Sequence, residues 1–165
     1  MQIPARREFK YLVPQRELPA LRRFIEGVCV RDGHAGADGT YRLRSLYFDD
    51  ARCSLFQAKE REASQRFNVR IRSYPDTPSA PVFAEIKGRV GDIIRKTRGP
   101  LPPDAWARIV AGEAPGALGS PGLDNFLARV YRHDLRPVVL LQYRREAWMS
   151  RLEEYGRLSI DTEIV

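Results

Sequence analysis

Cysteine and histidine are scarce in these 165 residues: only Cys29, Cys53, His34 and His133 are present. The two cysteines form no close-spaced metal pattern and no secreted disulfide framework. His34 lies in a Gly/Asp-rich stretch and His133 follows a predicted helix. Neither has a paired acid to orient it, so both are expected to play surface roles. Long apolar runs are missing as well. Nothing approaches the roughly 20 residues of a membrane span, and Met1–Arg6 lacks the apolar core of a signal peptide. A cytoplasmic protein is expected, or a cytoplasmic domain at a membrane face with a membrane-associated partner. No Gly-rich phosphate loop occurs, since Gly88-Arg89-Val90-Gly91 reads as a hairpin turn. With no internal repeat, low-complexity tract or linker, residues 1–165 read as one domain.

Lysine is the other scarcity. Of 28 basic residues only Lys10, Lys59, Lys87 and Lys96 are lysines, against a formal net charge of +7. A genome-wide arginine bias would explain this, yet three of the four lysines fall in predicted strands. The positive balance favours an anionic partner: nucleic acid, a phosphate compound or an anionic membrane surface.

Taken in order, residues 5–13 read as a strand, with Arg6, Glu8 and Lys10 on one face and Arg7, Phe9 and Tyr11 on the other. Pro14 opens a helix to about Gly27, striped by Leu18, Leu21, Phe24, Ile25 and Val28. Cys29 reads as a half-buried helix residue, and residues 31–39 as a loop. A second strand spans Thr40–Phe48. Asp49 or Asp50 can cap a short helix carrying Leu55 and Phe56. Residues 66–74 alternate strictly: Phe67, Val69 and Ile71 oppose Asn68, Arg70 and Arg72. Val82–Lys87 is a further strand, with Phe83, Glu85 and Lys87 on one side. A turn bracketed by Gly88 and Gly91 leads into its hairpin partner, Asp92–Arg98. Pro102 and Pro103 start a helix burying Trp106, Ile109 and Val110. Another helix carries Leu123, Phe126, Leu127, Val130 and Tyr131. Val138–Trp148 is the longest strand, and Gly156–Ile164 the last. Trp106 and Trp148 read as packing residues.

About seven strands joined as meanders, with amphipathic helices, give an α+β fold built on an antiparallel sheet. Charge of one sign recurs on strand after strand, opposite apolar faces that need covering. This favours a closed antiparallel β-barrel with helices packed outside and charges inside over an open solvated sheet. Two like charges about 4 Å apart repel by roughly 4 kcal/mol at an effective dielectric near 20. A lumen lined with Arg and Lys is therefore sensible only if it is wet and holds a polyanion. Arginine forks and lysine point charges are the usual phosphate ligands.

Six segments then match a known family in order and spacing: Arg7-Glu8-Phe9-Lys10-Tyr11, Arg44-Ser45-Leu46-Tyr47-Phe48-Asp49, Val69-Arg70-Ile71-Arg72-Ser73-Tyr74, Phe83-Ala84-Glu85-Ile86-Lys87-Gly88-Arg89, Tyr143-Arg144-Arg145-Glu146-Ala147-Trp148 and Arg157-Leu158-Ser159-Ile160-Asp161-Thr162-Glu163. Together they resemble the VTC domain, a member of the triphosphate tunnel metalloenzymes, from residue 7 to the last residue. The resemblance implies an antiparallel β-tunnel around a triphosphate or polyphosphate. It also implies transfer of the terminal phosphate of ATP onto polyphosphate with Mn²⁺ or Mg²⁺. It assigns Lys10, Arg70, Arg72, Lys87, Arg145 and Arg157 to phosphate binding, and Tyr143 to the tunnel wall beside them. Metal candidates are Glu8 and Glu85, with Asp161 and Glu163 behind them. For Glu8 and Glu85, ion pairs with Lys10 or Lys87 are the alternative.

Family members continue beyond the Asp161-Thr162-Glu163 strand. Their last strands supply a metal-binding glutamate and a lysine. A domain lacking those strands is therefore expected, either as a fragment or as a short form with an open tunnel. An open sheet edge would allow self-association. Three functions follow: a polyphosphate polymerase or other triphosphate-processing tunnel enzyme, a non-catalytic polyphosphate-binding module, or a nucleic-acid binder. The basic residues sit on strand faces opposite apolar stripes, which favours the first two and expects no specific nucleic acid.

Overall fold

In chain order the elements are α1 (Leu18–Val28), β1 (Cys29–Arg31), β2 (Tyr41–Asp49), α2 (Ser54–Glu60), β3 (Gln65–Ser73), β4 (Val82–Val90), β5 (Ile93–Leu101), α3 (Pro103–Val110), α4 (Pro121–Arg132), β6 (Arg136–Ser150) and β7 (Arg157–Thr162). The structure, a computed structural model, describes residues 8–33, 35–77, 79–113, 119–153 and 156–165. They divide into one unit of residues 44–141 and another of residues 8–43 with 142–165. The chain passes between units within β2 and within β6. His34 and residues 5–7 of the expected first strand lie outside the described residues.

In the 44–141 unit, β2, β3, β4 and β5 are neighbours in that order, each pair antiparallel. The apolar half of each alternation forms the core. Phe48, Val69, Ile71, Ala84, Ile86 and Leu101 from the strands meet Ala105 and Ile109 of α3 and Leu123, Phe126, Leu127 and Val130 of α4. Phe126 is fully buried, edge-on to Phe48 with ring centroids 5.9 Å apart. Proline opens both helices, where a missing N–H costs no hydrogen bond. Gly99 and Gly122 let α4 approach β5: a Cβ on Gly122 would lie 3.2 Å from the Arg98 carbonyl oxygen. The expectation for α3 needs one correction. Trp106 is exposed, and Ala105 with Ile109 forms the buried stripe.

The cap expected for α2 is made by both aspartates. Asp49 accepts from the Leu55 and Phe56 N–H groups, and Asp50 from Arg52 and Ser54, all at 2.9 Å. The bonds to Ser54, Leu55 and Phe56 satisfy N–H groups that the first helical turn leaves without partners.

In the other unit, the C-terminal part of β6 is flanked by β1 and β7, again antiparallel. Ile25 of α1 packs with Cys29, Trp148 and Ile160. Phe24, expected in the buried stripe, is exposed. Cys29 is buried in a strand rather than a helix, because α1 ends at Val28 and the chain joins β6 as β1. Trp148 is buried, with the Arg31 guanidinium 4.4 Å above its ring centroid. Described residues 8–13 form no strand, and Phe9, Tyr11 and Leu12 are exposed. Alternation is necessary for a half-buried strand, but a ladder partner is also required, and among the described residues this segment has none. No helix among the described residues is long and apolar enough to cross a membrane.

Candidate functional site

The polar half of the β3 alternation builds the site. Val69 and Ile71 are in the core, so Asn68, Arg70 and Arg72 take the opposite face. Register carries that face across the sheet, because directly opposite residues share a side. On β2, Tyr47 lies opposite Arg70 and Ser45 opposite Arg72. On β4, Lys87, Glu85 and Phe83 lie opposite Asn68, Arg70 and Arg72. On β5, Lys96 lies opposite Lys87, and Arg98 opposite Glu85. Around Glu85 that sheet face carries Arg70, Arg72, Lys87, Lys96 and Arg98, with Arg66 opposite Arg89 farther along it and Asp49, at the end of β2, taken up by the N–H groups of α2.

Glu85 is 1% exposed and is the hub. Its Oε2 accepts from Arg70 Nε at 2.8 Å, and Arg70 Nη2 lies 2.8 Å from the same oxygen. Arg72 Nη1 is 3.7 Å from Oε2, and Lys96 Nζ is 2.6 Å from Oε1. Two hydroxyls steady the arginines. Arg70 Nη1 donates to Tyr47 Oη at 2.8 Å, and Arg72 Nε to Ser45 Oγ at 3.2 Å. Arg98 stacks 4.0 Å from the Phe83 ring centroid. Asn68 Oδ1 is buried without a hydrogen-bond donor among the described residues.

The charges decide the titration. Burial by itself pushes the Glu85 carboxyl up, but Arg70, Arg72 and Lys96 outweigh it and hold the group down at about 2. Burial pulls the Lys96 ammonium down to about 8. Glu85 opposes that shift, while Arg70 and Arg72 add to it. Three cations on one carboxylate leave the cluster positive even before Lys87 and Arg98 are counted. Such a surplus in a desolvated place favours an anion.

The remaining expected phosphate ligands belong to the other unit. Arg145 is clamped by Asp161, with Nε to Oδ1 at 2.6 Å and Nη2 to Oδ2 at 2.7 Å. Its guanidinium lies 5.3 Å from the Tyr143 ring centroid. Burial works against the charge of Arg145, but the bonds to Asp161 prevail and its pKa is raised. Arg157 begins β7 opposite Met149 and is exposed. Arg144 and Glu146 take the other face of β6 from Arg145. Glu146 is buried there and accepts from Arg22 Nε of α1 at 3.0 and 3.2 Å. Lys10 and Glu8 sit on the exposed segment before α1.

The structure therefore brings Arg70, Arg72, Lys87 and Glu85 to one face, and Tyr143, Arg145 and Asp161 to another. Sequence reasoning missed Lys96, Tyr47 and Ser45 as members of the first group. The misplaced turn hid Lys96. Gly88 lies inside β4, and the turn is Gly91-Asp92, with Gly91 at φ 55°. A turn bracketed by Gly88 and Gly91 would set Lys87 opposite Asp92, whereas the true turn sets it opposite Lys96.

The carboxylates named as metal candidates do not fit a divalent cation. Glu85 is ringed by three cations, Asp161 is held at both oxygens by Arg145, and Glu8 stands on the exposed segment. Glu163 follows β7 at φ 53°, its carboxylate 3.6 Å from Arg144. Among the described residues no three His, Cys, Asp or Glu side chains group closely enough to hold a metal. Glu85 forms ion pairs with Arg70, Arg72 and Lys96, partners other than the Lys10 or Lys87 expected from sequence.

Comparison with known proteins agrees with this architecture. The crystal structure of a candidate adenylate cyclase from Bacillus halodurans is similar with a TM-score of 0.59 at 18% identity, over 91% of this chain and 68% of that one. The two share an antiparallel α+β fold. No curated protein matches the chain. The VTC domain model matches residues 5–165. With the six sequence segments and the basic sheet face in place, the chain belongs to the VTC domain family.

Proposed function

We propose that the β2–β5 face binds the phosphate groups of a triphosphate or of inorganic polyphosphate. One observation carries this reading: Arg70, Arg72, Lys87, Lys96 and Arg98 lie around one buried carboxylate, Glu85, on a sheet face. Arg70 and Arg72 offer planar N–H forks that suit phosphate oxygens, and Lys87 and Lys96 offer compact charges. Glu85, Tyr47 and Ser45 fix the forks before any ligand arrives, which lowers the ordering cost of binding. The side chains of Arg70, Arg72 and Lys96 are only 12%, 6% and 18% exposed. A slender phosphate chain suits such sunken groups, whereas a nucleic-acid duplex needs cations on an outer surface.

Transfer of the terminal phosphate of ATP onto polyphosphate is the second reading, favoured by membership of the VTC domain family. Phosphoryl transfer spreads charge over the equatorial oxygens, and positioning with charge stabilisation supplies most of the catalysis. Arg70, Arg72, Lys87 and Lys96 would do both. The adenylate cyclase likeness favours a nucleoside triphosphate as one form of the ligand. The test is incubation with ATP and Mn²⁺, followed by a search for acid-stable long-chain phosphate, beside a direct titration with tripolyphosphate. Product supports transfer. Tripolyphosphate binding without product supports a binding module or another triphosphate-processing enzyme. No binding and no product would overturn the proposal.

A further inference from the structure

We infer that Glu85 is a fixed internal counter-ion that positions Arg70, Arg72 and Lys96 for capture of a phosphate chain without a divalent metal. The inference rests on reading the β2–β5 face as a phosphate site, and it parts from a metal role for Glu85. Three observations support it. Both oxygens are engaged: Oε2 by Arg70 at 2.8 Å, with Arg72 at 3.7 Å, and Oε1 by Lys96 at 2.6 Å. The carboxylate is 1% exposed, so a hydrated cation has no open approach to it. A dication at either oxygen would also stand among three cations, whose repulsion a buried site screens poorly.

A counter-ion explains what a metal ligand does not. Without Glu85 the three cations would repel and turn outward. With it they are held together, yet the cluster keeps a positive surplus. The anion enters beside Glu85 and uses that surplus, displacing neither the carboxylate nor a metal. Tyr47 and Ser45 complete the arrangement by accepting from Arg70 Nη1 and Arg72 Nε, which sets the planes of the two guanidinium groups. Glu85 is on this account a positioning residue, acting on the ligand through its three partners.

The test uses inorganic tripolyphosphate as probe and the full chain as protein. Calorimetric titration in EDTA is compared with titration in excess Mg²⁺ or Mn²⁺. Binding in EDTA is expected, with affinity no weaker than with metal, since a metal on the triphosphate removes charge from it. Binding that appears only with metal, or tightens tenfold or more with it, would overturn this inference and leave the phosphate-site reading standing. Binding under neither condition would overturn both.

The second arm measures melting of wild-type protein and Glu85→Gln in EDTA. The variant is expected to melt lower, and tripolyphosphate to raise its melting temperature by less than it raises that of wild type, because the ligand must then order cations that Glu85 no longer holds. A structural role alone would leave the ligand-induced rise equal, and an equal or larger rise overturns the proposal. Should Glu85→Gln fail to fold, the wild-type titration in EDTA still decides. Mn²⁺ affinity of the ligand-free protein, read by electron paramagnetic resonance, is expected to be the same for both proteins. A drop in Glu85→Gln would make Glu85 a metal ligand.

Discussion

Arg70 and Glu85 face each other directly across the β3–β4 ladder, and Arg70 Nε donates to Glu85 Oε2 at 2.8 Å. That pair ties the central arginine of one strand to the carboxylate that Arg72 and Lys96 also face. It fixes the guanidinium where the neighbouring lysines, Lys87 and Lys96, add their charge.

Removing the Glu85 charge is predicted to be costly. Breaking a buried ion pair from one side typically costs about 3–5 kcal/mol, because partners are left uncompensated. Glu85→Gln should lose stability in that range by urea unfolding at neutral pH. The pH profile follows from the depressed carboxyl, held at about 2 against 4.5. Its stabilisation is present above the unfolded value and is lost as pH falls from about 4.5 towards 2. In Glu85→Gln that part of the acid profile should flatten.

Tyr47→Phe removes the acceptor of Arg70 Nη1 and nothing else from the cluster. A loss of about 1 kcal/mol is predicted by chemical denaturation, of the order of one hydrogen bond. Affinity for tripolyphosphate should fall severalfold, since the guanidinium plane is then set by Glu85 alone.

Lys96 predicts an alkaline limit on anion binding. Its ammonium is pulled down to about 8, so raising pH through that value neutralises it. Affinity for tripolyphosphate should fall through pH 8 by up to about tenfold, roughly 1.4 kcal/mol. Lys96→Met should weaken binding at pH 7 and remove this step. Stability moves the other way. Between pH 8 and 10.5 the unfolded chain holds a proton that folded Lys96 has released, so stability from this group rises with pH.

Much of this was legible beforehand. Strict alternation in residues 66–74 put Arg70 and Arg72 on one side and Val69 and Ile71 in the core. The Asp49 and Asp50 caps were also visible, because short acceptors before a helix have few other uses. The β4–β5 hairpin was legible too, but its register and the longer-range pairings were not. Lys96 joined the cluster through a two-residue turn that glycine content alone misplaced. Tyr47 and Ser45 joined because β2 happens to lie beside β3. The pattern before Pro14 looked like a strand, but alternation does not supply a ladder partner. Cys29 continues the helical pattern in sequence, since nothing local separates the last helical turn from a three-residue strand.

Asp161→Asn should free Arg145 from its two-pronged clamp. The pair is partly exposed, so a loss of about 1 kcal/mol is predicted, measurable by thermal unfolding. If Arg145 also contacts phosphate, tripolyphosphate affinity should be kept or raised in Asp161→Asn and lowered in Arg145→Ala.

The most direct measurement is calorimetric titration of inorganic tripolyphosphate into wild-type protein, Arg70→Ala and Lys87→Ala at low ionic strength and pH 7. Wild type should bind, and each variant should bind about tenfold or more weakly, a difference near 1.4 kcal/mol, with folding checked by circular dichroism. Affinity unchanged in both folded variants would contradict the claim that the β2–β5 face is the phosphate site.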